Sequence, residues 1–164
     1  MNFLSVVAVW CLNGVVSRDE TGMVQAAESN LQPQSTIAPE CYLPPNLNGR
    51  YNGILYAERR IFYNATKQQC VMFVPKKTGN TTGNNFVRRK DCFEACIPES
   101  PCLKPRKGKF NGTIKGYTYY ADSDYCAKAK YGKSAQFWPE YNRFHSSDEC
   151  YNKCAPELPI KRKY

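Results

Sequence analysis

Asn84-Asn85-Phe86-Val87-Arg88-Arg89-Lys90-Asp91-Cys92-Phe93-Glu94-Ala95-Cys96 is the stretch that decides the fold. Its closing C-x-x-x-C sets two sulfurs one turn apart on one face of a helix, where they can tie it to two other parts of the chain. The same close recurs at Cys150 and Cys154. Phe86 stands six residues before Cys92, and Phe144, in Asn142-Arg143-Phe144, stands six before Cys150. Reading backwards, Cys41 and Cys70 complete the first set of four and Cys102 and Cys126 the second. The two quartets hold eight of the nine cysteines.

The residues between the cysteines repeat as well. Gly49-Arg50-Tyr51-Asn52-Gly53 matches Gly108-Lys109-Phe110-Asn111-Gly112. Aromatic runs precede the second cysteine of each set: Ile61-Phe62-Tyr63-Asn64, then Tyr117-Thr118-Tyr119-Tyr120. Asp91 and Glu149 stand just before the third. Together these motifs resemble Kunitz (pancreatic trypsin inhibitor-type) domains. The first copy carries F-Y-N-A-x(5)-C, C-x-x-F and N-N-F-x(5)-C-x-x-x-C at 62–70, 70–73 and 84–96. The second is more diverged but keeps Tyr131-Gly132 and Asn142…Phe144.

The resemblance implies a small disulfide-rich α+β fold in two tandem domains, each a twisted two-stranded hairpin plus a short C-terminal helix. Four cysteines allow three pairings; the family pattern implies first with fourth and second with third. That gives Cys41–Cys96, Cys70–Cys92, Cys102–Cys154 and Cys126–Cys150. Domains this small bury too little apolar area to be stable alone. Each bond closing such a loop contributes about 3–4 kcal/mol in the chain-entropy model.

Residues 1–17 carry no charge and are largely apolar from Phe3 to Leu12, with small residues near Val16-Ser17. They are expected to be a secretory signal, too short to span a membrane. Cys11 would leave with it, and the remaining eight cysteines would be disulfides in an oxidising compartment. A zinc site fits poorly, because no C-x-x-C pair exists and His145 is the only histidine. No metal or cofactor is expected. Three sequons begin at Asn64, Asn80 and Asn111 and suit a secreted glycoprotein.

The net charge is +9, unevenly spread. Residues 18–40 carry −3 and read as a flexible acidic leader. Residues 41–96 carry +6, and residues 97–164 another +6. Basic residues cluster at Lys104, Arg106, Lys107 and Lys109, and in the C-terminal tail, 155–164, at Lys161-Arg162-Lys163, which lies beyond the last disulfide and is expected to be free to reach a partner. These clusters are exosite candidates for a sulfated glycan, an anionic surface or an acidic protein. Nucleic acid is not an expected partner of a secreted chain.

The domains are expected at 41–96 and 102–154, joined by a linker at 97–101 that holds two prolines. Ile54 to Tyr63 and Gln69 to Val74 read as the first hairpin, Ile114 to Ala121 and Tyr125 to Tyr131 as the second. Asp122 and Asp124 read as turn formers. A short helix is expected near Arg89 to Ala95, and Ser146 to Glu149 reads as a capping box opening the last one. His145 has no nucleophile or metal cluster beside it and reads as a surface residue, so an enzyme is not expected.

Kunitz domains normally hold six cysteines, and each copy here has four. By the family pattern the missing pair would stand at Tyr51 and near Thr78 in the first copy, and at Phe110 and Ser134 in the second. That bond ordinarily stiffens the loop a protease accepts as substrate. The specificity position falls on Asn52 and Asn111, where trypsin-like enzymes prefer Arg or Lys; a one-residue shift would offer Arg50 instead. Arg50, Tyr51, Asn52, Gly53, Lys109, Phe110, Asn111 and Gly112 are therefore the reactive-loop candidates. The glycines after each Asn are expected to loosen the loops. The resemblance extends to tick salivary Kunitz proteins. It implies a monomeric, secreted serine protease inhibitor acting in a non-standard or exosite mode, or a scaffold turned to a channel, receptor or clotting factor.

Overall fold

The computed structural model describes residues 37–51, 58–104 and 111–159. The first cysteine segment opens with a 3-10 turn, Pro39–Tyr42, followed by β1 (Asn48–Gly49), β2 (Arg60–Asn64), β3 (Gln69–Phe73), β4 (Lys77–Thr78) and α1 (Arg89–Cys96). A second 3-10 turn, Pro101–Leu103, leads into β5 (Ile114–Tyr120), β6 (Tyr125–Tyr131) and α2 (Ser147–Cys154). β2 pairs antiparallel with β3, and β5 with β6, while β1 and β4 make a short parallel pair.

Alternation and β-branched or aromatic content make the hairpins. Their turns use one device: Gln68 and Asp124, each two residues before a cysteine, take left-handed backbone at φ 50° and 51°. β2 is shorter than the run of apolar residues suggests. Glu58 and Arg59 are not in a strand, and 54–57 lie outside the described residues.

The repeated asparagine is a structural device. Asn84 is buried; its side-chain oxygen accepts from Tyr63 N at 2.7 Å, and its amide donates to the carbonyls of Tyr63 and Leu43. Asn142 does the same for Tyr119, accepting at 2.8 Å and donating at 2.8 Å. One side-chain amide thus imitates a neighbouring strand and satisfies both backbone groups of a hairpin residue, half-buried at Tyr63 and buried at Tyr119. The adjacent bridges Ile61↔Phe86 and Tyr117↔Phe144 continue that pairing.

Four disulfides close the segments: Cys41–Cys96, Cys70–Cys92, Cys102–Cys154 and Cys126–Cys150, over separations of 55, 22, 52 and 24 residues. Iodoacetamide should therefore add no mass to these eight cysteines in the unreduced protein. Mass spectrometry finding one or two alkylated sites among them would contradict this pairing. α2 is capped as its sequence suggests: Glu149 N donates to Ser146 Oγ at 3.1 Å. The Glu149 carboxylate reaches one residue further back than expected, accepting from His145 N at 2.9 Å.

The two segments pack against each other. Ser35–Tyr164 is one compact unit, and one buried cluster draws on both segments: Ile61, Met72 and Phe93 from the first, Tyr119, Phe144 and Ala155 from the second. Residues 156–158, after α2, run beside β3. Met72 N donates to Pro156 O at 2.9 Å, and Leu158 N donates to Met72 O at 2.8 Å, so this stretch adds a strand-like edge to β3. The open backbone edge of β3 required a partner, and the tail supplies it.

Candidate binding loops and the joint between segments

The first loop candidate sits where β1 meets β4. Gly49 pairs with Thr78, and Gly79 N donates to Gly49 O at 3.0 Å. Backbone bonds thus hold two loop strands side by side, with no cysteine at Tyr51 or Thr78. Arg50, Tyr51 and Thr78 are exposed. Asn52 and Gly53 lie outside the described residues.

Beneath this loop lies a polar network that the sequence did not announce. The Glu58 carboxylate oxygen Oε2 accepts from Arg50 N at 2.5 Å and Tyr51 N at 3.0 Å. Its other oxygen lies 3.6 Å from Arg60 Nη1. Arg60 is buried and donates from Nε to Asn85 Oδ1 at 2.6 Å. The Asn85 amide in turn donates to Asn46 O and Asn48 O, at 2.7 and 2.8 Å.

The second copy is built differently. Lys109 and Phe110 lie outside the described residues, as do Arg106 and Lys107. Asn111, Ser134 and Lys104 are exposed. Gly112 is not a loosening element: a Cβ there would stand 2.5 Å from Tyr131 N, so glycine is required by close approach of two backbones. Where the first segment has Asn85, the second has Arg143, whose guanidinium lies 5.2 Å from the Tyr131 ring and 5.1 Å from the Tyr141 ring. Phe137 stacks on the exposed His145 at 4.0 Å. Of the sequons, Asn80 and Asn111 are exposed and Asn64 is half-buried. Lys161, Arg162 and Lys163 lie outside the described residues.

The acidic residues of the second hairpin turn do more than shape it. Arg89 of α1 is 2% exposed. Its Nε donates to Asp124 Oδ1 at 2.7 Å, and its Nη2 to Oδ2 at 3.4 Å. Its Nη1 donates to the Cys70 carbonyl and, at 2.8 Å, to Pro156 O. Tyr119 adds a hydroxyl bond to Asp124 at 2.6 Å and an edge-on ring contact to Phe93 at 6.2 Å. Burial, with the adjacent Asp124 carboxylate second, raises the Tyr119 pKa well above the ordinary tyrosine value, so it remains a donor. At the rim, Lys90 Nζ meets Asp122 Oδ1 at 2.6 Å; this hydrogen bond and charge hold the Asp122 pKa below its usual range. Local sequence reading assigns Asp122 and Asp124 only to a turn, because their partners are over thirty residues away.

Two small disulfide-rich segments, each a hairpin stapled to a helix, define a small disulfide-rich α+β fold. Among the described residues no group of three or more His, Cys, Asp or Glu is placed to hold a metal, and no helix is long and apolar enough to cross a membrane. The family model of the Kunitz/Bovine pancreatic trypsin inhibitor domain matches residues 40–97. Horse inter-alpha-trypsin inhibitor (Equus caballus) is 31% identical over 58% of this chain and 74% of its own length. Bovine protein AMBP (Bos taurus) is 31% identical over 58% of this chain, and the match spans only 26% of that protein. Amblin of the tick Amblyomma hebraeum is 30% identical over 57% of each chain. The chain belongs to the Kunitz/bovine pancreatic trypsin inhibitor family.

Proposed function

We propose that this is a secreted protein of two tandem Kunitz-type domains, 41–96 and 102–154, that binds an extracellular serine protease in a non-standard mode. The observation that carries the reading is the paired β1 and β4 edge. It presents Arg50 and Tyr51 to solvent beside Thr78, where a protease-binding loop belongs in this family. Relatives named as trypsin inhibitors support the target class, and the likeness to Amblin of the tick Amblyomma hebraeum supports a tick source, for which we propose a salivary role. A progress-curve screen of the purified protein against trypsin, chymotrypsin, elastase and clotting proteases tests it. Inhibition of at least one enzyme, weakened by Arg50→Ala or Tyr51→Ala, is the expected result. No inhibition across the panel would overturn it.

A second reading, a scaffold turned to a receptor, channel or clotting factor, is favoured by the exposed sequon at Asn111. A glycan there would stand where a protease must dock. An anionic partner also finds chemistry on the β5–β6 hairpin. Lys115 and Lys130 are exposed, face each other across the strands, and take part in no ion pair among the described residues. Like charges opposed in this way destabilise a strand pair unless an anion intervenes. Changing both lysines to Glu should lower the salt needed to elute the protein from heparin by more than removing 160–164 does. Unchanged elution would leave the hairpin without that role.

A further inference from the structure

The first loop lacks the disulfide that stiffens its relatives, yet its backbone is not without a tie. Arg50 N and Tyr51 N both point at one oxygen of Glu58, at 2.5 and 3.0 Å. Backbone N–H bonds to an ionised carboxylate are stronger than bonds between neutral groups. The carboxylate is itself anchored. Its side chain is 11% exposed, its second oxygen faces Arg60, and Arg60 is locked by Asn85, which also holds the carbonyls of Asn46 and Asn48. The links run unbroken from a buried arginine to the two amides nearest the candidate contact residues.

The geometry at Gly49 belongs to the same arrangement. A Cβ there would stand 2.4 Å from Pro75 Cγ and 2.7 Å from Glu58 Oε2. Only glycine lets the carboxylate pass beneath residue 49 to reach the next two amides. The second segment has no counterpart among its described residues. Aligned on the hairpins, Ile114 and Gly116 stand where the first segment has Glu58 and Arg60.

We propose that Glu58 is the positioning residue of the first binding loop, its carboxylate bracing the Arg50 and Tyr51 amides in place of a loop disulfide. This rests on the reading of residues 50–53 as the loop that meets the target. The brace orders the loop before binding and so lowers the ordering cost of association. It is polar and reversible, and reducing agent cannot cut it.

Amide hydrogen exchange of the full oxidised chain, read residue by residue by NMR, tests it without any target. In the unaltered protein, Arg50 and Tyr51 should exchange at least tenfold more slowly than in an unstructured peptide of the same sequence. Equal rates overturn the proposal without recourse to a variant. Glu58→Gln and Gly49→Ala should each remove that protection, while the amides of Ile61, Met72 and Tyr119 keep theirs. The Arg50–Tyr51 bond should also be nicked by trypsin at least tenfold faster in both variants. Retained protection at 50 and 51 in both variants overturns it. A loss spread evenly over the whole chain does so too, because it makes Glu58 a fold residue and not a loop brace. A protein with the brace intact that inhibits nothing in the protease screen would instead sink the functional reading alone.

Discussion

Arg89→Ala should lower the unfolding free energy of the oxidised chain by about 3 kcal/mol or more. The guanidinium is almost wholly buried and serves three acceptors: the Asp124 carboxylate, the Cys70 carbonyl and the Pro156 carbonyl. Alanine would leave two main-chain carbonyls without that donor and Asp124 with only the Tyr119 hydroxyl and water. Because these acceptors lie in β3, the second hairpin turn and the chain after α2, the loss falls on the joint between segments. Guanidinium chloride unfolding followed by Trp138 and tyrosine fluorescence measures it. A single transition is expected in the unaltered chain, since one buried cluster spans both segments. Arg88 is the internal control. Its side chain is 71% exposed and pairs with Asp91 on the same surface turn, so Arg88→Ala should leave the midpoint nearly unchanged. Equal effects at 88 and 89, or two separate transitions, would remove the joint from the account of stability.

Asn52→Lys should raise affinity for trypsin by a hundredfold or more, about 3 kcal/mol. On the proposal that residue 52 holds the family's specificity position, it would enter the acidic pocket of a trypsin-like enzyme, where a lysine meets an opposite charge and an asparagine does not. The unaltered chain should accordingly be a weak trypsin inhibitor. Steady-state inhibition constants for the unaltered chain, Asn52→Lys and Arg50→Ala decide the matter. Nanomolar inhibition by the unaltered chain, lost in Arg50→Ala, would move the anchor to Arg50. Asn52→Lys without effect would mean that residue 52 does not meet the pocket.

The local elements were legible because their causes are local. The C-x-x-x-C spacing falls on α1 and α2, whose eight-residue spans the sequence approximates closely. β6 is where its aromatic and apolar run places it, and Ser146 caps α2 through a bond three residues long. The strand expected from Ile54 to Tyr63 is not formed at Glu58 and Arg59, because apolar content alone does not show where hairpin pairing begins. Glu58, the first described residue before β2, turns its side chain to the loop amides instead of a strand partner.

By itself, the sequence determined the class of molecule: two cysteine quartets, two hairpins, two short helices and a repeated asparagine, each set by short-range spacing and side-chain type. Tertiary structure alone decided what those pieces do to one another. The Asp122–Asp124 turn reaches back to Lys90 and Arg89. Residues 156–158 run as an edge beside Met72, and Glu58 reaches beneath Gly49 to the loop amides. The physical reason is that charge and hydrogen-bond partners are chosen by distance in space. A buried guanidinium or an open strand edge must be satisfied by whatever the packed chain brings near it. Periodicity along the chain carries no record of that choice.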